Sequence, residues 1–231
     1  MLQTLKLKKP LEYWGVNQYF GLNFNNFYKE IGMKGHNGID LFALDSTPVY
    51  ASHDGRVTFA GYDGAGGLGV VIRTLEEFAD SEGTGYFWKT VYWHLKKDTL
   101  KVTGGQNVKA GDLIGLADNT GRSTGSHLHW GLKPIEKGEE DWIWWNAVQD
   151  NGYMGAVDPM PYVEVKYGFT QFLRFGSVNN DVKQLQIKLD IKPFDGIFGK
   201  LTLAGVKKFQ KEQGLIVDGL VGRNTRAKLN E

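Results

Sequence analysis

The apolar pattern of this chain changes period between residues 162 and 172, and that change fixes what the chain can fold into. Upstream, short apolar runs alternate with Gly, Asp and Asn turns, as in "PVYASHDGRVTFAGYDG" and "LGVVIRT". β-branched and aromatic residues held between turn signals read as strands. "NVKAGDLIGLADNTG" adds a further short strand flanked by Gly turns. Downstream the period is helical. Val182, Leu185 and Leu189 stand three or four apart behind an Asn or Asp cap, and Leu203, Val206 and Phe209 repeat that spacing. The first part therefore reads as mostly β with long loops, and the last part as all-α.

The helical part also repeats itself. "DGIFGKLTLA" (195–204) aligns with "DGLVGRNTRA" (218–227) as D-G-x-x-G-x-x-T-x-A. Each copy predicts a Gly-shaped turn and then a helix capped near Thr202 or Thr225. Charge divides along the same line. Residues from 172 onward carry a net +5 and the rest a net −4, within a whole-chain charge of +1. A small basic module suits an anionic polymer, and equally a set of solvated helix faces.

The chain has no Cys, which excludes a disulfide framework and any thiolate metal site. A metal would have to be held by His and carboxylates, a donor set that suits zinc with an open position. No run approaches the ~18 apolar residues of a membrane span. The opening "MLQTLKLKKPLEYWGVNQYF" does not read as a signal peptide, because no apolar stretch follows its lysines. The expectation is synthesis in the cytoplasm without a leader and action at the cell wall or periplasm, or else a secreted mature form.

Five histidines carry the chemistry to be weighed: His36, His53, His94, His127 and His129. In "SHLHWG" a strand would place His127 and His129 on one face, where they could both bind a metal or divide metal binding from proton transfer. In "KGHNGIDLFA", His36 and Asp40 are four apart, but Gly38 between them and the lack of a following Glu argue against a zinc-binding helix. A turn at His36 leading into a strand at Asp40 fits better. "TVYWHLKK" places His94 in an aromatic strand, where a half-buried structural role is the simple reading. His53, before an Asp-Gly pair, reads as a turn residue outside the chemistry.

Together these pieces resemble the lysostaphin-like zinc endopeptidases of the M23 peptidase family. "YFGLNF", "HNGIDLFALDSTPVYASHDGRVTFAGYDG", "YWHL", "VKAGDLIGLADNTGRSTGSHLHWGL" and "VDPMPYV" carry the resemblance over residues 15–163. "LRFGSVNNDVKQLQIKL", "DGIFGKLTLAGVKKFQKEQGL" and "DGLVGRNTRAKL" resemble a small three-helix peptidoglycan-binding domain over 172–230. The resemblance implies an antiparallel β peptidase domain at 1–163, a linker at 164–171 and a three-helix wall-binding domain at 172–231. It further implies one zinc ion on His36, Asp40 and His129, with His94 and His127 acting on water and substrate. The partner implied is bacterial peptidoglycan, met by a monomer that needs neither nucleic acid nor a membrane span.

Two insertions depart from the family pattern, "LEEFADSEGTGYFWK" and "KPIEKGEEDWIWWNAVQDNGYMGA". Trp142, Trp144 and Trp145 in the second are expected to close a satellite core, with a stacking platform as the alternative. The expected role is a phage endolysin that cuts a D-Ala–diaminopimelate cross-link. A bacterial autolysin, a catalytically silent activator and a binding protein with a structural metal are the other readings.

Overall fold

The computed structural model describes residues 2–12, 14–23, 27–138, 144–149, 151–164 and 173–229. Beyond Glu164, the linker expected at 164–171 lies outside the described residues, as does Trp142. The chain divides into two units, Met1–Glu164 and Val165–Glu231.

The first unit is built from short strands: β1 (Val16–Gln18), β2 (Ile39–Phe42), β3 (Pro48–Tyr50), β4 (Gly55–Asp63), β5 (Gly67–Arg73), β6 (Phe78–Ala79), β7 (Gly85–Leu95), β8 (Asn107–Val108), β9 (Leu113–Leu116), β10 (His127–Lys137) and β11 (Trp144–Asn146), with a short helix, α1 (Phe27–Glu30), and a 3-10 turn at Met160–Tyr162. The main sheet runs β1-β2-β10-β7-β5-β4-β8, with β11 on β10 and β6 on β7; β3 and β9 pair separately. The strand pairs are antiparallel, as the sequence pattern predicts.

Alternation gives this sheet one dry face. Ile39 and Leu41 of β2, Leu128, Trp130 and Leu132 of β10, Trp88 and Tyr92 of β7, and Val70 and Ile72 of β5 are all buried there. Each large aliphatic side chain so buried stabilises the fold by ~1.5–3 kcal/mol. Their neighbours in sequence, Asp40, His129, Trp93 and Lys133 among them, must point to the other face.

The dry side also holds polar groups, several of which bond one another. Ser52 N–H donates to the Tyr92 hydroxyl at 2.8 Å, which lies 3.0 Å from Thr90 Oγ1. Thr90 Oγ1 is 3.0 Å from His53 Nε2, and His53 Nδ1 is 2.9 Å from the Asp54 carbonyl. A carbonyl only accepts, so Nδ1 carries the proton and Nε2 accepts from Thr90. His53 lies in the bend that its Asp-Gly neighbours imply, and its ring is a buried linchpin of the core.

Among its described residues the second unit has three helices, α2 (Asn180–Lys188), α3 (Lys200–Glu212) and α4 (Arg223–Leu229). Asn179 caps α2 by accepting from Val182 N–H at 2.9 Å. Val182, Leu185, Phe198, Val206, Val221, Leu173 and Leu229 form the core, with Leu189, Leu203 and Phe209 packed against it.

The repeat has a physical purpose different from capping. Gln186 Nε2 donates to Asp195 Oδ1, Ile197 O and Thr202 Oγ1, while its Oε1 accepts from Gly196 N–H. Gln210 does the same with Asp218 Oδ1, Leu220 O, Thr225 Oγ1 and Gly219 N–H. Each D-G-x-x-G-x-x-T run is a cage around the buried glutamine of the preceding helix. The cap of α3 is Gly199, which offers no side-chain bond, so the capping role expected of Thr202 is corrected. Its hydroxyl closes the cage instead.

Candidate metal centre

The polar face of the main sheet collects the candidate residues where β2 meets β10. Asp40 and His129 are direct cross-strand partners, and Phe42 pairs with His127 in the same ladder. His36 arrives from the turn before β2. Its backbone is held by His36 N–H to Leu22 O at 2.9 Å and by Gly21 N–H to His36 O at 2.8 Å. Gly38 makes the approach possible, since a Cβ there would sit 2.8 Å from the His129 ring and 2.7 Å from Trp130 O.

Three donor atoms result. His36 Nε2 and His129 Nδ1 are 2.9 Å apart, and each is 3.1 Å from Asp40 Oδ1. Ligand atoms on a tetrahedral zinc at ~2.0–2.1 Å lie roughly 3.3 Å from one another. The observed triangle therefore fits one ion, with the fourth position open. Both imidazoles are buried, which keeps water from competing for the donors.

Two further imidazoles border the triangle. His127 Nε2 lies 3.5 Å from Asp40 Oδ1, while its Nδ1 donates to Gly125 O at 2.8 Å and is 3.2 Å from Ser123 Oγ. His94 Nδ1 donates to Thr120 O at 2.7 Å. Each ring thus has its Nδ1 committed to a carbonyl and its Nε2 left for other partners. The two rings are 4.6 Å apart between centroids.

His94 reaches this face through a backbone irregularity. Thr90 and Tyr92 of β7 point into the core, and strict alternation would send His94 after them. The β5–β7 register slips between Leu68 and Val70, and His94 takes φ +65°. Such a bulge re-aims a side chain, and a non-glycine residue held at positive φ marks a site worth its strain.

Residues 34–140 match the model of peptidase family M23, and residues 178–229 match the PG_binding_1 family of peptidoglycan binding domains. The chain carries an M23 peptidase domain followed by a peptidoglycan-binding domain. Among similar proteins, the glycyl-glycine endopeptidase ALE-1 of Staphylococcus capitis is 32% identical over 170 residues, 74% of this chain and 40% of that protein. The DD-carboxypeptidase/endopeptidase Mpg of Neisseria meningitidis is 37% identical over 122 residues, 53% of this chain and 25% of that protein. The catalytic domain of lysostaphin from Staphylococcus simulans aligns in structure at 27% identity with a TM-score of 0.45, covering 64% of this chain and 91% of that one. The chain spans between 18% and 40% of the length of the curated relatives it matches.

Electrostatics in the M23 domain centre on Asp40. Burial opposes its charge, but bonds from His127, His129 and His36 outweigh that and hold the carboxyl far below the ordinary range. Burial lowers His129, and it lowers His94 to about 4 against the raising effect of the Thr120 bond. For His127, burial is outweighed by its bond and attraction to Asp40, so it is raised. Buried neutral imidazoles beside an ionised carboxylate are the protonation states a divalent cation requires.

Sequence reasoning missed two contributors. Tyr28 of α1 packs its ring 5.6 Å from the His36 ring, and its hydroxyl accepts from Gln18 Nε2 at 3.3 Å. Burial and the nearby Asp40 push this phenol up to about 12, so it stays a neutral donor. Thr120 was invisible as well, because it acts on His94 through its backbone carbonyl. Trp145 departs from expectation in the other direction. It is 56% exposed and so is not packed in a satellite core.

Proposed function

We propose that this chain is a zinc-dependent endopeptidase that hydrolyses peptide cross-links of bacterial peptidoglycan, with residues 1–163 catalytic, 164–171 a linker and 172–231 the wall-binding module. The observation that carries it is the triangle of His36 Nε2, Asp40 Oδ1 and His129 Nδ1, bordered by two imidazoles whose Nδ1 atoms are committed to backbone carbonyls. A single zinc held there would polarise a peptide carbonyl and lower the pKa of a bound water toward ~7.

The remaining work falls to the chain's own groups. His127 and His94 divide proton transfer between the attacking water and the leaving amine, a task an imidazole performs well near neutral pH. Their Nδ1–H bonds to Gly125 and Thr120 fix the tautomer that leaves Nε2 available. Asp40 supplies the negative charge that balances the cation. The match to a peptidoglycan-binding family supports the wall as substrate.

Within this reading we place the protein as a lytic enzyme of the endolysin type, cutting a D-Ala–diaminopimelate bond. The test uses purified walls of known cross-link type. Chelation should abolish lysis, zinc should restore it, and mass spectrometry of the products should show new diaminopimelate amino termini. Full lysis by protein shown to be metal-free would overturn the proposal.

A further inference from the structure

We infer that a row of cations on the polar face of the main sheet is a binding site for the carboxylates of an acidic peptide, lying alongside the metal centre. The row is set by strand register. Lys133 pairs with Lys89, Lys89 with Arg73, and Arg73 with Arg56, across β10, β7, β5 and β4. Directly paired residues share a face, so four cations stand in line at steps of ~4.8 Å. Their sequence neighbours Leu132, Thr90, Ile72 and Val57 are buried on the other face, which puts the row on the side of His129.

The link to the metal centre is an unbroken strand. From His129 to Ile135 the β10–β7 register has no bulge, so His129, Gly131 and Lys133 point the same way. Four residues of strand separate His129 from Lys133, or roughly 13 Å. The strand between them carries no charge and is roofed by the Asn37 backbone, since Gly131 and Val91 are buried and a Cβ at Gly131 would lie 3.3 Å from Asn37 O. Gly131 has no side chain, and a Cβ there would meet the Val91 side chain at 2.8 Å. An extended peptide passing over Asn37 would bring a group about four residues from the reacting bond near Lys133 and Lys89.

The direct opposition of Lys133 and Lys89 does not favour the fold. Like charges placed directly opposite on a sheet destabilise it. Both are half-buried, and among the described residues neither has a carboxylate partner. Lys133 Nζ donates to Met154 O at 2.8 Å, which occupies one of its three hydrogens. Burial lowers both amines, and the Lys89 charge adds to the lowering that brings Lys133 to about 8. At neutral pH Lys133 therefore remains mostly charged, partly desolvated and, among the described residues, unmatched by a carboxylate. A carboxylate ligand relieves that cost, and a neutral one does not.

This inference rests on the peptidase reading for the identity of the ligand, and its test is chosen to fail separately. The probe is a non-cleavable tetrapeptide stem ending in diaminopimelate, with free carboxylates or with the same groups amidated. Its binding to the full zinc-loaded chain is followed by calorimetry. The wild type should bind the carboxylate form roughly tenfold more tightly. In Lys89→Gln and Lys133→Gln the ratio should shrink, and in the double variant it should approach one. Gln at 133 can still donate to Met154 O, and Lys89 has no carboxylate partner to lose among the described residues, so melting temperatures should hold or rise. An unchanged ratio in the folded double variant would overturn the inference. So would inorganic phosphate displacing the peptide as well as free carboxylate does, since that marks a general anion site. Wall lysis, measured in parallel, decides the peptidase reading independently of the binding ratio.

Discussion

His36 Nε2 and His129 Nδ1 face each other across 2.9 Å, with Asp40 Oδ1 3.1 Å from both. Two imidazole nitrogens this close need a proton or a cation between them, because their lone pairs otherwise repel. Among the described residues His36 Nδ1 is buried without a partner, so the ring is held by packing and by whatever its Nε2 binds. Zinc should therefore act as a ligand that stabilises the folded state. At a thousandfold excess over Kd the linkage is worth ~4 kcal/mol, which moves the first unit's melting transition upward by about 10 °C. In His129→Ala the shift should vanish. In His127→Ala it should persist while wall lysis is lost. Calorimetric scans with zinc and with chelator read all three, and an intact zinc shift in His129→Ala would show that the triangle is not the metal site.

Thr120 grips the segment around His94 from two sides. Its carbonyl accepts from His94 Nδ1, and its hydroxyl donates to Leu95 O at 2.6 Å while accepting from Leu68 N–H at 3.1 Å. Thr120→Val removes the second grip and frees the bulge to relax. Because small misplacements at a reacting centre cost up to ~10²-fold, kcat should fall roughly ten- to a hundredfold with KM little changed. Thr120→Ser should keep most activity. The φ of +65° at His94 gives a second check. His94→Gly should be about 1 kcal/mol more stable than His94→Ala, since only Gly adopts that backbone without strain. Equal stability of the two would remove the strain from this account.

Much of this site was legible because strand alternation and pair spacing are local. His127 and His129 declare a shared face within three residues, and Gly38 excludes the helical reading of His36 and Asp40. What was not legible depends on distant partners. The bulge at His94 is made by register against β5 and by Thr120, 26 residues away, so nothing in "TVYWHLKK" encodes it. His53 resembles a turn residue in sequence, yet Thr90, 37 positions on, draws it into the core. The repeat in the second unit was visible, but its meaning lay in Gln186 and Gln210, which stand outside the repeated ten residues.

The His53 network predicts a pH dependence of stability. Burial lowers His53 below its ordinary value of 6.5, against weaker raising effects of the Asp54 carbonyl and charge. The unfolded chain therefore binds a proton at a pH where the folded chain does not. Stability is fully present above ~6.5 and is lost as pH falls below it, by up to ~1.4 kcal/mol per pH unit for this one group. His53→Gln cannot titrate, so its denaturation free energy should fall less steeply between pH 6.5 and 5. Denaturant titrations of both proteins across that range measure the difference. Parallel slopes would mean that His53 does not hold this proton balance.

The paired glutamine cages make a prediction that tests the repeat itself. Gln210 is 1% exposed and meets Asp218, Leu220, Thr225 and Gly219 with every polar atom it has. Methionine fills the same space but leaves the Gly219 N–H without an acceptor. One such buried group costs about 1–3 kcal/mol, and the lost bonds to Asp218 and Thr225 add to it. Gln186→Met should cost a similar amount, because its cage is built from the same groups. The glutamate variants separate geometry from charge. Gln186→Glu sets a second carboxylate where an amide now donates 2.8 Å away to Asp195. That variant should be the least stable at neutral pH and should recover as acid protonates one of the pair. The second unit's unfolding transition in the full chain reads each case. A Gln186→Glu protein that is as stable at pH 7 as at pH 5 would mean that Gln186 and Asp195 do not share the contact on which the cage depends.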